Sequence, residues 1–470
     1  MPDDKATVLT PADERAMADE LRARLNGEVI DRAHPAYDGA RAVWNGLIDR
    51  RPAVIARCSG TADVVETVRI AQKYRPVVSI RGGGHQVAGS AVCDDGLVID
   101  LSGMKGVHVD PAARIARAQG GVTWGELDRE TQLHALATPG GEISATGIAG
   151  LTLGGGFGFV MRTLGLSCDG MRSITVVTAD GTVRVASRDE EPELFWAARG
   201  GGRGIGVVTS FDYGLQPLGP EVDCALVIHP FDRAEAVLRA WRDATESAPD
   251  TVTPELLLWT VPADPEVPPE LHDVNCVMVS AVYGGPAGAE AKAALAPQRD
   301  FGPALLDLSG SLSYVELQSA NTWRFPDGDR YFMKSHFMDE LNDEAISVLV
   351  DWYSRRPTPD CLIVVRTLGG AVARVGPDDS AFAHRSARFN VSIDAGWQNP
   401  ALDDEAIGWA RSAWDAVKPF SSGSYVNFAG LGEDAGELRS AVYGSHEERL
   451  ERIRAAYDPE GLFAPAARRP

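Results

Sequence analysis

"VVSIRGGGHQVAG" (residues 77–89) is a β-branched run that empties into three adjacent glycines and then a histidine. Glycines placed directly after a strand let backbone approach a ligand closely, often a phosphate, because amide N–H groups reach where side chains would intrude. His85 adds bulk at the point where the loop has just removed it. The stretch therefore reads as a ligand-shaped loop with an imidazole at its edge.

Outward from this loop, residues 53–215 alternate short apolar runs with helical stretches. "TADVVETVRIAQKY" (61–74) carries Val64, Val65, Val68 and Ala71 at helical spacing, with Asp63 in its first turn. Strands are expected at "PVVSI", "GLVIDL" (96–101), "RIARAQGG" (114–121), "SITVVTA" (173–179), "TVRVAS" (182–187) and "GVVTSFDYGL". Thr123 and Glu126 form a capping box for a helix over 123–137. The pattern predicts an α+β domain dense in glycine turns. "LQPLGPEVD" (215–223) interrupts the alternation with prolines and marks a boundary. Beyond it, "ALVIH", "LLLWTV", "VNCVMVSAVY", "CLIVVRTLGG" and "RFNVSIDAGW" are interleaved with amphipathic helices such as "FDRAEAVLRAWRDA" and "DEAISVLVDWYS". An antiparallel sheet with helices on one face is expected there. The tail returns to helix, with Ser445 and Glu448 as a second capping box.

Bulk properties narrow the function. The 470 residues carry a net charge of -21, which argues against nucleic acid or an anionic membrane as the main partner. No apolar run is long enough to span a bilayer, and the charged start does not read as a signal peptide. Cys58, Cys93, Cys168, Cys224, Cys276 and Cys361 are scattered without metal or disulfide spacing, so a cytoplasmic protein with reduced thiols and no metal site is expected. HExxH and GxSxG are both absent, which lowers the metalloprotease and hydrolase readings.

Four glycine clusters stand out: Gly82–Gly84, Gly120–Gly121 with Gly140–Gly141, Gly154–Gly156 with Gly158, and Gly200–Gly202 with Gly204 and Gly206. None spells GxGxxG after a strand, and none is followed by the lysine of a P-loop. Any one cluster reads equally well as turns in a twisted sheet. Four within one domain favour an extended ligand against bare backbone, as a pyrophosphate-linked dinucleotide would be.

The ordered set "RGGGHQVAG", "GLVIDLSGMKGVHVDP", "ATPGGEISATGIAGLTLGGGFGFVMRTLGLSCD", "VVTADGTVRVAS", "LFWAARGGG" and "GVVTSF" resembles the FAD-binding domain of berberine bridge enzyme-like oxidases, within the vanillyl-alcohol oxidase (PCMH-type) superfamily. The tail "YVNF…AVYGSHEERLERIRAAYDPEGLF" is similar to that family's C-terminal signature. The resemblance implies an α+β fold: a two-subdomain FAD-binding domain over 1–218 (core about 48–218), a substrate domain over 219–419, and a segment 420–470 returning to the FAD domain.

Carried over by position, it implies that Arg81, Gly82, Gly83, Gly84, His85, Gln86 and Gly89 wrap the FAD pyrophosphate and ring edge. The stretch 138–158 would line the isoalloxazine and diphosphate through Thr138, Pro139, Gly140, Gly141, Thr146, Gly147, Gly150, Leu153, Gly154, Gly155, Gly156 and Gly158. Gly206 and Val207 would meet the flavin through backbone. The family's histidine at the His85 position is bonded to the flavin 8-methyl carbon, a step for which a neutral imidazole nitrogen is a competent nucleophile. Many relatives add a cysteinyl link; Ile143 stands at that position here, so the FAD is expected to be monocovalent through His85. Cys168 lies in a different motif and reads as a packed small residue. Thr146 occupies the position that influences oxygen access in relatives.

The implied reaction moves hydride from a C–H beside a hydroxyl or amine of a small metabolite or natural product to flavin N5, with O2 as the final acceptor, giving H2O2. Relatives often carry Tyr-x-Asn-Tyr near the C-terminus, the second tyrosine serving as base. Here Tyr425 and Asn427 are kept, placing them beside the flavin, but Phe428 cannot take a proton. Tyr425, Tyr331, His336 and His384 are the substitutes, with Arg385 and Lys334 as candidates for substrate or flavin contacts. Tyr and His at strand ends are more often packing residues, so each carries that bland reading too. Two alternatives share the fold: a dehydrogenase with a non-oxygen acceptor, and a flavin-containing ligand-binding protein with weak or lost turnover.

Overall fold

The helix expected at 61–74 forms as Thr61–Tyr74 in the computed structural model, which describes residues 9–263, 267–431 and 435–463. Its first-turn Asp63 accepts the backbone N–H groups of Asn26, Gly27 and Ser59 at 2.8–2.9 Å, tying the helix start to two preceding turns. Val64, Val68 and Ala71 bury against Val54, Leu97 and Ile99 of a four-stranded sheet. That sheet runs Glu28–Asp31, Val54–Arg57, Leu97–Asp100, Val78–Arg81, the first pair antiparallel and the others parallel. The 82–89 loop thus leaves the end of an edge strand, where its backbone is free of ladder partners.

A second, wholly antiparallel sheet has the order Val107–Asp110, Ile115–Gln119, Val207–Gly214, Met171–Val177, Val183–Ser187. The Thr123/Glu126 capping box forms, Thr123 N donating to Glu126 Oε2 at 2.8 Å. The helix it starts is shorter than 123–137, however, and stops at Gln132. Ala135 takes a positive φ of 51°, and Leu136–Ala137 leave the helix to pair with Gln216–Pro217. Tertiary pairing there overrides a continuous helical pattern.

The third sheet has eight strands, all paired antiparallel. Its main path is Leu306–Asp307, Glu221–Pro230, Asn275–Tyr283, Val252–Thr260, Leu362–Thr367, Phe389–Trp397, Arg330–Met338, with Gly310–Ser313 also on Glu221–Pro230. Helices Ala234–Ser247, Asp343–Ser354 and Asp403–Val417 cover one face, as expected for this half of the chain. Leu238, Trp241, Ile346, Leu349, Ala410 and Ala413 pack on Leu256, Leu258, Ile363, Val365, Val391 and Ile393. The period-two alternation of a strand sends the intervening residues to the opposite face, where helix Tyr314–Ser319 packs on Val222 and Val282 at one end and Leu257, Trp259 and Val364 line open space. Arg330–Met338, within "DRYFMKSHFMDE", proves to be an edge strand of this sheet.

The tail helix runs Glu447–Tyr457, but without the Ser445/Glu448 capping box. Ser445 lies inside a preceding 3-10 turn, Gly444–His446, so His446 becomes the cap residue and makes no side-chain cap bond. The helix buries Leu450 and Ile453 in the same core as Trp196 and Ala197, and Tyr457 donates its hydroxyl to Glu191 at 2.6 Å. Leu462 and Phe463 close against the Thr61–Tyr74 helix. Among the described residues no helix is long and apolar enough to cross a membrane.

Candidate active site

A cavity of about 1790 Å3 lies between the glycine loops and this opposite face of the eight-stranded sheet. Gly82, Gly83, Gly84, His85 and Gln86 line one wall with Thr146, Gly147, Gly150, Leu153 and Gly206. Leu257, Trp259, Val364, Arg366 and Asp394 line the sheet side, and Tyr425, Asn427 and Phe428 complete the enclosure.

The glycines divide into two kinds. A Cβ on Gly150 would meet no atom within 4 Å, so bare backbone there faces open cavity. Gly83 and Gly147 instead sit back to back, each so close that a Cβ would strike the other's backbone. Gly154, Gly155, Gly156 and Gly158 pack against Asn427, Phe382, Ser167 and the Gly140 carbonyl, and none of the four lines the cavity. Arg81, Gly89, Thr138, Pro139, Gly140, Gly141 and Val207 also stand behind the wall. Arg81 donates to the Ala40 carbonyl at 2.5 Å. Much of the glycine richness thus serves chain-on-chain packing around the cavity.

His85 stacks on Trp44 with ring centroids 5.3 Å apart, and Trp44 stacks in turn on Tyr331 at 4.1 Å. Its Nδ1 lies 3.5 Å from Thr146 Oγ1. Burial pushes the imidazole pKa down to about 4, against a weak opposing pull from Asp327, so the ring is neutral at physiological pH.

The candidate bases are placed very differently. Tyr425 lines the cavity and stacks on Phe157 at 4.1 Å; its hydroxyl oxygen accepts Gly156 N and Asn427 Nδ2, both at 2.8 Å. Burial pushes its pKa well above the ordinary phenol value. Tyr331 lines the cavity but donates its hydroxyl to the Pro326 carbonyl at 3.0 Å, and burial raises it as well. His384 does not line the cavity. It faces the Ala441 and Val442 carbonyls at 3.0 Å and stacks on Phe337. His336 is held between Ser421 Oγ (2.8 Å) and the Trp414 carbonyl (2.9 Å), also outside the cavity. Arg385 is committed to Asp169 through two bonds of 2.7 and 2.8 Å, and Lys334 lies 3.5 Å from the centroid of the Trp414 ring. Packing explains these last four.

Four other residues meet on the cavity wall that the motifs did not single out: Glu142, Glu255, Arg366 and Asp394. Arg366 donates to Glu142 through Nε (3.0 Å) and Nη2 (2.8 Å), lies 3.3 Å from Glu255, and reaches Ser392 Oγ at 3.0 Å. Ser392 passes its hydroxyl to Asp394 Oδ2 at 3.1 Å, while Asp394 Oδ1 has no hydrogen-bond partner. Three carboxyl groups surround one guanidinium, and burial is the largest influence on Glu255 and Asp394. It lifts Glu255 to about 8, reinforced by Glu142, and Asp394 to about 6 despite the attraction of Arg366. Arg366 is 5.2 Å from the centroid of the Phe428 ring. A signal for the cluster existed in the sequence: Asn390, Ser392 and Asp394 are polar at period two within an apolar strand.

The site fits a flavin dinucleotide: an extended cavity, bare backbone at Gly150, and a neutral imidazole on its wall. A family model described as "FAD binding domain" matches residues 52–187, and one described as "Berberine and berberine like" matches residues 424–466. The (R)-6-hydroxynicotine oxidase of Paenarthrobacter nicotinovorans is 30% identical, covering 93% of this chain and 95% of its own. An uncharacterized FAD-linked oxidoreductase of Bacillus subtilis (strain 168), YgaK, is 29% identical over 94% of this chain and 96% of its own. The crystal structure of 6-hydroxy-D-nicotine oxidase from Arthrobacter nicotinovorans matches with a TM-score of 0.82 at 28% identity, covering 95% of this chain and 98% of that one.

Proposed function

The chain belongs to the berberine bridge enzyme-like FAD-linked oxidoreductases, and from that premise we propose that it is an oxidase of a small hydroxyl- or amine-bearing molecule, with FAD held by one covalent bond to His85. When bound, FAD supplies the hydride acceptor and passes the electrons to O2, giving H2O2. His85 is suited to the attachment because its neutral ring keeps a nucleophilic nitrogen. Ile143, on the same wall, offers no second link. The glycine loops hold the cofactor's phosphates through backbone, and residues 1–218 with 420–470 form its domain, while 219–419 supplies the substrate side.

One observation carries the choice of base: Asp394 lines the cavity, its buried Oδ1 has no hydrogen-bond partner, and its pKa is raised to about 6. It is ionised at neutral pH and takes the substrate's O–H or N–H proton as the neighbouring C–H gives up its hydride. Phe428 has no proton-accepting atom, and Tyr425, held neutral by burial, positions Asn427 and the Gly156 turn.

Mixing the purified protein anaerobically with a panel of alcohols and amines, then admitting air, tests the reading. Bleaching of the flavin followed by stoichiometric peroxide is expected. Bleaching without peroxide would make the protein a dehydrogenase, and no bleaching across the panel would make it a binder.

A further inference from the structure

At one place on the cavity wall carboxyl groups outnumber the cation among them, while Arg50, Arg75, Arg203, Arg324, Arg439 and Arg454 also line the cavity. Glu142, Glu255 and Asp394 face one guanidinium, Arg366, which spends its donors on Glu142 and Ser392 and comes within 3.3 Å of Glu255. A buried surplus of carboxylate is costly unless a partner neutralises it. Here the surplus is directed. Asp394 is only 4% exposed, its Oδ1 lacks any hydrogen-bond partner, and it lines the cavity. Trp259, Tyr331 and Phe428 also line the cavity, and π surfaces favour a cation over an anion; the Arg324 guanidinium lies 3.9 Å from the Trp259 ring centroid and that of Arg366 5.2 Å from the Phe428 centroid.

We propose that this cluster is the recognition site for a monocationic amine, whose ammonium N–H donates to Asp394 Oδ1 and whose charge replaces the one the cluster lacks. The proposal rests on the oxidase reading and names its substrate class: protonated aliphatic amines rather than neutral alcohols or sugars. Charge counting supports a single positive charge. With Glu255 holding a proton, as burial and Glu142 favour, Glu142 and Asp394 against Arg366 leave one uncompensated negative charge at neutral pH. Glu142 is the long-range contributor: it comes from the glycine-loop half of the cavity and clamps Arg366 from across it, fixing the sheet side that presents Asp394.

The quinuclidinium ion is the probe. It is a caged ammonium with one N–H, and its bridgehead nitrogen cannot form an iminium, so it binds without turning over. Bicyclo[2.2.2]octan-1-ol is its neutral counterpart of nearly the same shape. Flavin absorbance of the holoenzyme is recorded first and then followed during titration with each, alongside calorimetry. Quinuclidinium is expected to bind at least about tenfold more tightly than the alcohol. Asp394→Asn and Glu142→Gln should each erase most of that preference, weakening quinuclidinium far more than the alcohol. Equal binding of the two cages by the wild-type protein would overturn the proposal without needing any variant. So would a preference that survives in a folded Asp394→Asn protein. A colourless preparation would count against the FAD reading instead, and calorimetry would still report the cation preference.

Discussion

Arg366 and Glu142 meet from opposite walls of the cavity. The guanidinium of a strand in the eight-stranded sheet forms a two-point contact (3.0 and 2.8 Å) with a carboxylate on the loop that precedes Gly147. Both side chains are largely buried, at 8% and 15% exposure. The pair ties the two halves of the chain together at the place where the chemistry is expected.

Arg366→Met should therefore destabilise the protein sharply. Removing one partner of a buried ion pair costs about 3–5 kcal/mol, because the other charge is left uncompensated. Three carboxylates would be left facing each other here. The loss should be largest near pH 8 and shrink towards pH 5, as Asp394 and Glu255 take up protons and cease to repel. Urea denaturation of both proteins at the two pH values measures this; a penalty independent of pH would argue against the cluster.

Glu255 gives the wild-type protein its own pH signature. Its folded pKa, raised from 4.5 to about 8, means that between those values the folded state holds a proton the unfolded chain releases. Stability from this group is complete below about 4.5 and is lost as pH rises towards 8. Depressed histidines such as His85 and His336 act in the opposite direction, but only below their ordinary value of 6.5. Asp394 and Asp128, raised to about 6 and about 7, act in the same direction as Glu255 but are spent near pH 7, so the interval from about pH 7 to 8 belongs chiefly to Glu255. Stability should fall across it in the wild type and stay flatter in Glu255→Gln; parallel curves would refute the assignment.

How much of this was legible beforehand depended on the range of the interactions. The helix at Thr61–Tyr74 and the Thr123/Glu126 box are local, and both formed from local signals. The end of the second helix at Gln132 and the loss of the Ser445 cap were decided by tertiary pairing and by an extra turn at Gly444, neither of which neighbouring residues encode. The same holds for the site. His85 announced itself as a misfit in a glycine loop. Glu142, Glu255, Arg366 and Asp394 are single polar residues on separate segments, joined only when Glu255 pairs with Arg366 across two strands and the loop folds over both. His384 looked chemically able, but its ring turned to two backbone carbonyls.

Tyr425 should prove a positioning residue. Its oxygen satisfies Gly156 N and Asn427 Nδ2, so Tyr425→Phe strands two donors and should cost about 1–3 kcal/mol of stability. If Asp394 is the base, the pH–rate profile of Tyr425→Phe keeps the wild-type acid limb near pH 6, whereas Asp394→Asn loses it. Disappearance of that limb in the tyrosine variant would transfer the role back to Tyr425.

His85 makes the covalent claim checkable without a substrate. A neutral imidazole on the cavity wall, stacked on Trp44 and 3.5 Å from Thr146 Oγ1, has the position and the free nitrogen lone pair that an attachment nucleophile needs. Acid precipitation of the wild type should carry the yellow colour into the pellet, and His85→Ala should release all of it to the supernatant. The single-link proposal, with Ile143 at the position of the relatives' cysteine, expects no colour to remain behind in that variant. Residual colour in the His85→Ala pellet would reveal a second bond. Complete release from the wild type would show that FAD is held only by the backbone loops and packing.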